Sequence, residues 1–351
     1  MKVALLGVTS DFRTGTGRGV PIYIYELLEH LSKMQGVDVS KEECKNVNGI
    51  GESFSLYFGS MFRDFSKYDL VHNLDIRPIQ LMRKGKSVLI TTVHDCQPVT
   101  SPELNADLRH SLAGRMRMDV IQPWGYNRSL KADYLIVQSQ LTMDDVVKLG
   151  YPKDKISIVH SGIDDRYRAP LGKQSHYGFR VGYIGSFRLR KNVGFAVNAF
   201  RKLGVDDAVF EIWGKPRFEY DNLVKLASGD KRIQFKGFAP EDGIVSLYES
   251  FDAFVFPTLY EGLCLEILEA QARGVPVIID ANGKVPAETA RYCLRAKDEE
   301  DMAKMLQDIK DNGFDPKLRK AAMDYARGFT WEKTALDTLD AYRRALKMLR
   351  G

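Results

Sequence analysis

Apolar residues along this chain fall into short runs, and most runs lead through a loop into a segment of helical period. Val3 to Val8 is the first run; after it, Ile22 to Met34 carries apolar residues at Ile24, Leu27, Leu28 and Leu31 and stops at Gly36. Tyr68 to His72, Ser87 to Val93, Asp133 to Gln138 and Ile156 to His160 predict further strands, while Pro102 to Arg117, Val120 to Leu130 and Thr142 to Leu149 predict helices. Between Lys41 and Ser66, Gly49, Gly51, Ser53 and Ser55 interrupt any period, and no element is predicted there. A polar, aperiodic stretch from Ser161 to Tyr177 marks a boundary.

A second alternating series follows. Its strands are Arg180 to Ile184, Ala208 to Trp213, Ile233 to Lys236, Ala253 to Phe256, Val275 to Asp280 and a short one at Cys293 to Arg295. Helices near Val193 to Leu203, Glu219 to Ala227, Glu241 to Tyr248 and Leu263 to Arg273 separate them, and three more close the chain: Glu299 to Lys310, Lys317 to Arg327 and Thr330 to Leu349. Apolar strands alternating with helices imply parallel sheets wound on both faces. The expectation is an α/β protein of two doubly wound domains, residues 1–165 and 166–330, facing across a cleft.

Composition narrows the class. A length of 351 residues, 44% hydrophobic and 28% charged, suits two soluble domains of ordinary size. Four scattered cysteines, Cys44, Cys96, Cys264 and Cys293, form neither a zinc ribbon nor a disulfide framework, which fits a reducing, cytoplasmic setting. No apolar run approaches a membrane span, and the N-terminal run is too short for a signal peptide. The net charge of +5 is modest, with basic residues gathered at Arg109 to Lys131 and Arg166 to Lys191. Nothing indicates nucleic acid. The stretch Leu108 to Leu130, with Arg109, His110, Arg115, Met116, Arg117, Met118 and Trp124, reads either as ordinary helix surface and core or as an amphipathic face for a lipid or the inner membrane surface.

The chemistry concentrates in Phe256 to Ile278. A strand ends at Pro257, a loop and a helix follow, and Gly274 and Pro276 stop the helix. Glu261 lies in the loop and Glu269 about two turns into the helix, and the backbone N–H groups of Gly262, Leu263, Cys264 and Leu265 lie between them as an anion site. In the same domain, Gly185 and Ser186 begin a strand-edge loop that runs to Asn192 and carries Arg190 and Lys191 beside a helix start, where two fixed cations stabilise a diphosphate without metal. The glycine loop Gly15, Gly17 and Gly19 departs from the dinucleotide pattern, so NAD is not indicated, although Gly17 still allows close approach of a ligand.

These blocks resemble family 4 of the retaining GT-B glycosyltransferases. The E-x7-E spacing of Glu261 and Glu269 with Phe256-Pro257 before it and Arg273-Gly274-Val275-Pro276 after it is the specific match. Gly185 to Asn192 is similar to the donor-phosphate motif of the mannosyltransferase-like branch, and Val93-His94-Asp95, Val137-Gln138-Ser139, Val159 to Asp164 and Lys236-Gly237-Phe238 match further landmarks in order. The resemblance implies two Rossmann-like domains, an N-terminal acceptor side and a C-terminal donor side, with the helix at 331–351 packed back on the first. It implies a hexose transferred from a nucleotide-diphosphate sugar to a hydroxyl of a glycan or lipid-linked acceptor, with no cofactor; no D-x-D element is placed to hold a metal at the diphosphate, and the cationic pair with the helix start removes the need for one. Glu261 then approaches the donor sugar, Glu269 binds ribose hydroxyls, Arg190 and Lys191 neutralise the leaving diphosphate, and Gly237 and Phe238 border the base. His94 inherits hydrogen bonding at the reacting sugar, and Asp95 orients it or binds acceptor hydroxyls. Cys264 departs from the family's usual small residue, often Gly; Glu266 replaces a common Pro, and Ser186 a common Arg. A GT-B epimerase and a silent nucleotide-sugar-binding protein would share the donor site. Epimerised donor formed without acceptor marks the first, and binding without turnover marks the second.

Overall fold

The computed structural model describes residues 1–8, 19–44, 64–76, 85–172 and 176–350. Within these, the chain forms two compact units: one of residues 1–102, 111–162 and 330–351, the other of residues 103–110 and 163–329.

The first unit is built on a six-stranded parallel sheet of order β2-β1-β3-β4-β5-β6. The strands are β1 (Lys2–Val8), β2 (Asp38–Cys44), β3 (Leu70–Asn73), β4 (Val88–Val93), β5 (Tyr134–Val137) and β6 (Ile156–Ile158). β3, β4 and β5 are buried along their whole length, as strands covered on both faces must be. One face packs Ile24 and Leu27 of α1 (Val20–Leu31) with Trp331, Leu339 and Tyr342 of the C-terminal helix; the other packs Tyr126, Met143 and Val146.

Two expectations are corrected in the first half of the chain. β2 was not predicted, because its sequence, Asp-Val-Ser-Lys-Glu-Glu-Cys, has no apolar run. Among the described residues it is an edge strand paired on one side only, and its charged residues suit that place. The continuous helix expected over Pro102 to Arg117 is instead a short α2 (Gln97–Thr100), a 3-10 stretch at Pro102–Leu108 kinked at Asn105, and α3 (Leu112–Met116). Ser111 starts α3 anew by accepting the Gly114 N–H at 3.0 Å. A π turn (Arg117–Ile121) then joins α3 to α4 (Gln122–Ser129), and α5 (Gln140–Lys148) follows β5.

The second unit carries a six-stranded parallel sheet of order β12-β11-β10-β7-β8-β9. Its strands are β7 (Phe179–Ile184), β8 (Ala208–Trp213), β9 (Ile233–Gly237), β10 (Ala253–Val255), β11 (Val277–Asp280) and β12 (Leu294–Ala296). Between them run α6 (Val193–Arg201), α7 (Tyr220–Leu226), α8 (Ile244–Glu249), α9 (Leu265–Ala272) and α10 (Ala287–Ala290), followed by α11 (Glu299–Asn312) and α12 (Pro316–Arg327). One core unites the sheet with its helices, from Val181 and Phe210 through Phe254 and Ile278 to Leu268 and Leu306.

The chain leaves the first unit at Gly162 rather than Asp165 and re-enters it at Thr330. A Cβ on Gly162 would stand 2.3 Å from the Trp331 nitrogen, so the close passage of these two segments needs glycine. The helix from Thr330, α13 (Trp331–Arg350), belongs to the first unit. The segment 103–110, expected in the first domain, groups with the second because its Asp107 is held there by Arg188.

Candidate functional site

Two loops at the C-terminal ends of neighbouring strands β7 and β10 make the centre of the site. After β7, Gly185 to Arg188 leads into a 3-10 turn, Leu189–Lys191, and Asn192 takes a left-handed conformation (φ 51°) before α6. A side chain at Gly185 would meet the Tyr183 hydroxyl at 2.6 Å, and that hydroxyl donates to the Ser186 carbonyl at 2.7 Å. After β10, Phe256 to Cys264 leads into α9. A backbone bond joins the loops, the Leu259 N–H donating to the Arg190 carbonyl at 2.7 Å, and the Glu261 N–H donates to the Lys284 carbonyl, beyond β11, at 3.0 Å.

The side chains converge on one carboxylate. Glu261 Oε1 accepts from Arg190 Nη1 at 2.8 Å, Lys191 Nζ at 2.7 Å and Thr258 Oγ1 at 2.7 Å. Arg190 Nη1 also donates to the Tyr260 carbonyl at 2.9 Å, and the Lys191 ammonium lies 4.5 Å from the centre of the Phe256 ring. Glu261 and Lys191 are both buried, at 7% and 5% exposure, so their charges are largely out of water. Burial works against ionisation of Glu261, but the Arg190 and Lys191 charges and the hydrogen bonds from Lys191 and Thr258 outweigh it and bring the carboxyl down to about 2. One carboxylate against two cations gives this trio a positive charge.

Behind the trio, Gly262, Leu263 and Cys264 are buried and Leu265 opens α9. No side chain caps this helix; Cys264 precedes it with φ 73° and ψ 78°, a left-handed conformation that favours glycine. Burial, with Glu261 and Glu266 nearby, pushes the Cys264 thiol well up, so it stays protonated and is no nucleophile. Glu269 lies in the second turn, half-buried, and accepts from the Tyr248 hydroxyl at 2.8 Å. Gly237 ends β9 with φ 75°, its carbonyl accepting from the Gly214 N–H at 2.7 Å. Phe238 beside it is 56% exposed, with the Lys215 ammonium 4.9 Å from its ring centre.

The remaining candidates come from the N-terminal part of the chain. His94 and Asp95 follow β4 in the first unit. The His94 ring meets Tyr23 edge-on at 4.9 Å and its Nε2 donates to the Leu74 carbonyl at 2.9 Å. Asp95 Oδ1 accepts the Gln97 N–H at 3.0 Å, the bond of a residue that starts a turn. Gly17 lies outside the described residues. Thr258 and Tyr248, which hold Glu261 and Glu269, were not singled out from sequence. Thr258 follows Pro257 in the same block, so its place was the available signal; Tyr248 comes from another helix and gave none.

The chain is similar in sequence and fold to known glycosyltransferases. Residues 47–167 match the family model described as Glycosyltransferase Family 4, and residues 178–312 the one described as Glycosyl transferases group 1. The chain is similar to the O-antigen chain mannosyltransferase B of Escherichia coli, 25% identical over 275 residues that span 72% of this chain and 70% of that protein. It is 30% identical over 240 residues to the D-inositol 3-phosphate glycosyltransferase of Mycobacteroides abscessus, across 62% of this chain and 53% of that one. In fold it is similar to sucrose-phosphate synthase from Thermosynechococcus elongatus, with a TM-score of 0.73, 19% identity and 99% of each chain covered. Anabaena HepE, solved in complex with UDP-glucose, has a TM-score of 0.70 at 14% identity, with 98% of this chain and 99% of that one covered.

Proposed function

Since this chain belongs to glycosyltransferase family 4 and has the GT-B fold, we propose that it moves a hexose from a nucleoside diphosphate sugar to a hydroxyl acceptor, with retention of configuration and without a metal. The observation that carries this reading is the pairing of Arg190 and Lys191 with a single buried carboxylate, Glu261. Two fixed cations beside an uncapped helix start provide for two phosphate groups in a dry setting, where each contact counts for more than in water.

In this mechanism the diphosphate lies against Arg190, Lys191 and the N–H groups from Gly262 to Leu265. As the bond between the anomeric carbon and the phosphate oxygen breaks, these groups stabilise the charge that grows on phosphate. The acceptor oxygen attacks from the same face, and its proton passes to that phosphate oxygen, which gives retention without an enzyme adduct. Glu261 meets the sugar hydroxyls, Glu269 the ribose hydroxyls, and Gly237 and Phe238 border the base. His94 is assigned hydrogen bonding to a substrate hydroxyl, and Asp95 a supporting place on the acceptor side.

The printed names of relatives choose the first probes: a mannosyltransferase among the sequence relatives and UDP-glucose bound to a structural neighbour. A thermal-shift screen over UDP-, GDP- and ADP-linked mannose and glucose is expected to find one donor that raises Tm, and Lys191→Ala is expected to abolish the shift. Trapping a glycosyl adduct on Glu261 would overturn the same-face route, and epimerised donor without acceptor would make the protein an epimerase.

A lipid-linked acceptor is favoured by one surface feature. Leu112, Met116, Val120 and Trp124, exposed by 77%, 56%, 61% and 38%, recur every fourth residue along α3, the π turn and α4, with Arg115 and Arg117 exposed beside them. The wider π turn offsets the drift that a spacing of four accumulates on an α-helix. Among the described residues no helix is long and apolar enough to cross a membrane, so the contact proposed is peripheral. Flotation with anionic liposomes is expected to carry the protein upward, and reversal of Arg115 and Arg117 to release it; flotation unchanged by that reversal would count against the contact.

A further inference from the structure

The turn that presents Arg190 and Lys191 has no local cap: it follows Arg188, whose side chain makes no hydrogen bond back to it. Its cap comes from far upstream. Asp107 Oδ2 accepts the Leu189 N–H at 3.1 Å across a sequence separation of 82 residues. The same carboxylate holds the Arg188 guanidinium at both oxygens, Nε to Oδ2 at 2.5 Å and Nη2 to Oδ1 at 3.2 Å. Asn105 Oδ1 accepts from Nη2 at 2.8 Å, and the Phe218 ring centre lies 5.1 Å from the guanidinium carbon.

The Asp107 side chain has 0% exposure. Burying a carboxylate is costly unless its oxygens are fully engaged, and here three N–H contacts engage them. The arrangement does two things at the grip. It fixes the backbone at Leu189, immediately before Arg190, while the Leu259 N–H fixes the Arg190 carbonyl from the other loop. It also commits Arg188 to a carboxylate other than Glu261, so that only Arg190 and Lys191 of the three successive basic side chains bind Glu261.

We propose that Asp107 is a positioning residue of the nucleotide-sugar site, capping Leu189 and holding Arg188 so that Arg190 and Lys191 are fixed before the donor arrives. This rests on the donor-site reading above. The test is calorimetric titration of the full chain with UDP, GDP and ADP, beside thermal unfolding. Asp107→Asn keeps the size and removes the charge; the dissociation constant for the nucleotide that binds best is expected to rise about tenfold, as displaced contact groups commonly cost that much or more.

The double variant Asp107→Leu/Arg188→Leu separates positioning from stability, since an apolar pair of similar volume restores packing. Its Tm is expected to recover while nucleotide binding stays about tenfold weak. Binding that recovers together with Tm overturns the proposal. Lys191→Ala distinguishes the two levels. If it binds nucleotide as well as the unaltered protein, or if no nucleotide binds the unaltered protein, the donor-site reading falls and this proposal falls with it. If Lys191→Ala loses binding while both Asp107 variants keep it, the positioning role alone is refuted.

Discussion

Glu261 holds Arg190 and Lys191 together, and on the proposed reading it would share them with a bound diphosphate. Glu261→Gln keeps the shape and removes the charge, leaving Arg190 and Lys191 to repel each other in a buried place. At neutral pH this is expected to cost about 3 kcal/mol of stability, the usual scale for breaking a buried pair from one side. Nucleoside diphosphate binding is expected to hold or tighten, because phosphate oxygens then take the carboxylate's place, while turnover drops by about 100-fold. Urea unfolding, calorimetry and donor turnover check the three effects; clearly weaker nucleotide binding would count against the phosphate grip. The neighbouring Cys264 carries a local strain, with φ 73° and ψ 78°. Cys264→Gly relieves the backbone and loses a small buried thiol, for a net change within about 1 kcal/mol, whereas the β-branched Cys264→Val is expected to lose about 2 kcal/mol more. Equal unfolding midpoints for the two variants would show that the left-handed conformation is not what matters there. At this scale Arg190, Lys191 and Glu261 were legible because each stands in a short motif after an apolar strand. Asp107 and Tyr248 were not, since what defines them is a contact 82 or 21 residues away.

Among elements, the closing helix α13 is joined to the first sheet by a buried polar chain. Tyr342 OH meets His72 Nδ1 at 2.7 Å, His72 Nε2 meets Thr92 Oγ1 at 2.7 Å, and Thr92 Oγ1 meets Tyr23 OH at 3.0 Å. Burial, and then the charge of His94, lower the His72 pKa from its ordinary 6.5 to about 3. The folded protein therefore keeps His72 neutral where the unfolded chain takes a proton. Its contribution is fully present above pH 6.5 and is lost as pH falls from there towards 3, by up to about 1.4 kcal/mol per pH unit. His72→Gln is expected to be less stable at neutral pH, with that deficit shrinking on acidification at about this slope. Urea titrations of both proteins at several pH values read it directly, and parallel curves would mean that His72 is not the group responsible. Tyr342→Phe should cost about 1–2 kcal/mol at neutral pH, because it strips one ring nitrogen of its partner. The strands carrying this chain were readable from sequence because sheets covered on both faces give mostly apolar, β-branched runs, as in Val88–Val93. β2 escaped because one-sided pairing allows Lys41, Glu42 and Glu43 in a strand, and the kink at Asn105 because the burial of Asp107 reshapes a segment that looks locally helical.

At the scale of the whole molecule, the pattern of apolar runs was enough to count two sheets, but it could not assign residues 103–110, which belong to the second unit while the chain on either side belongs to the first. That assignment has a measurable consequence. Arg190, Lys191, Glu261 and Glu269 all lie in residues 163–329, so binding of a nucleoside diphosphate should slow hydrogen exchange most strongly at 185–192 and 257–272. If Asp107 caps the turn that receives the phosphates, residues 103–110 should gain protection with them, although they are 82 residues or so away in sequence at the Asp107 to Leu189 bond. The strands β3 and β4, buried along their whole length, should change little. Exchange measured on the full chain with and without saturating UDP or GDP distinguishes the cases. Protection at 185–192 with none at 103–110 would separate the upstream segment from the donor site, and protection centred on the first sheet would move the nucleotide out of the second unit altogether.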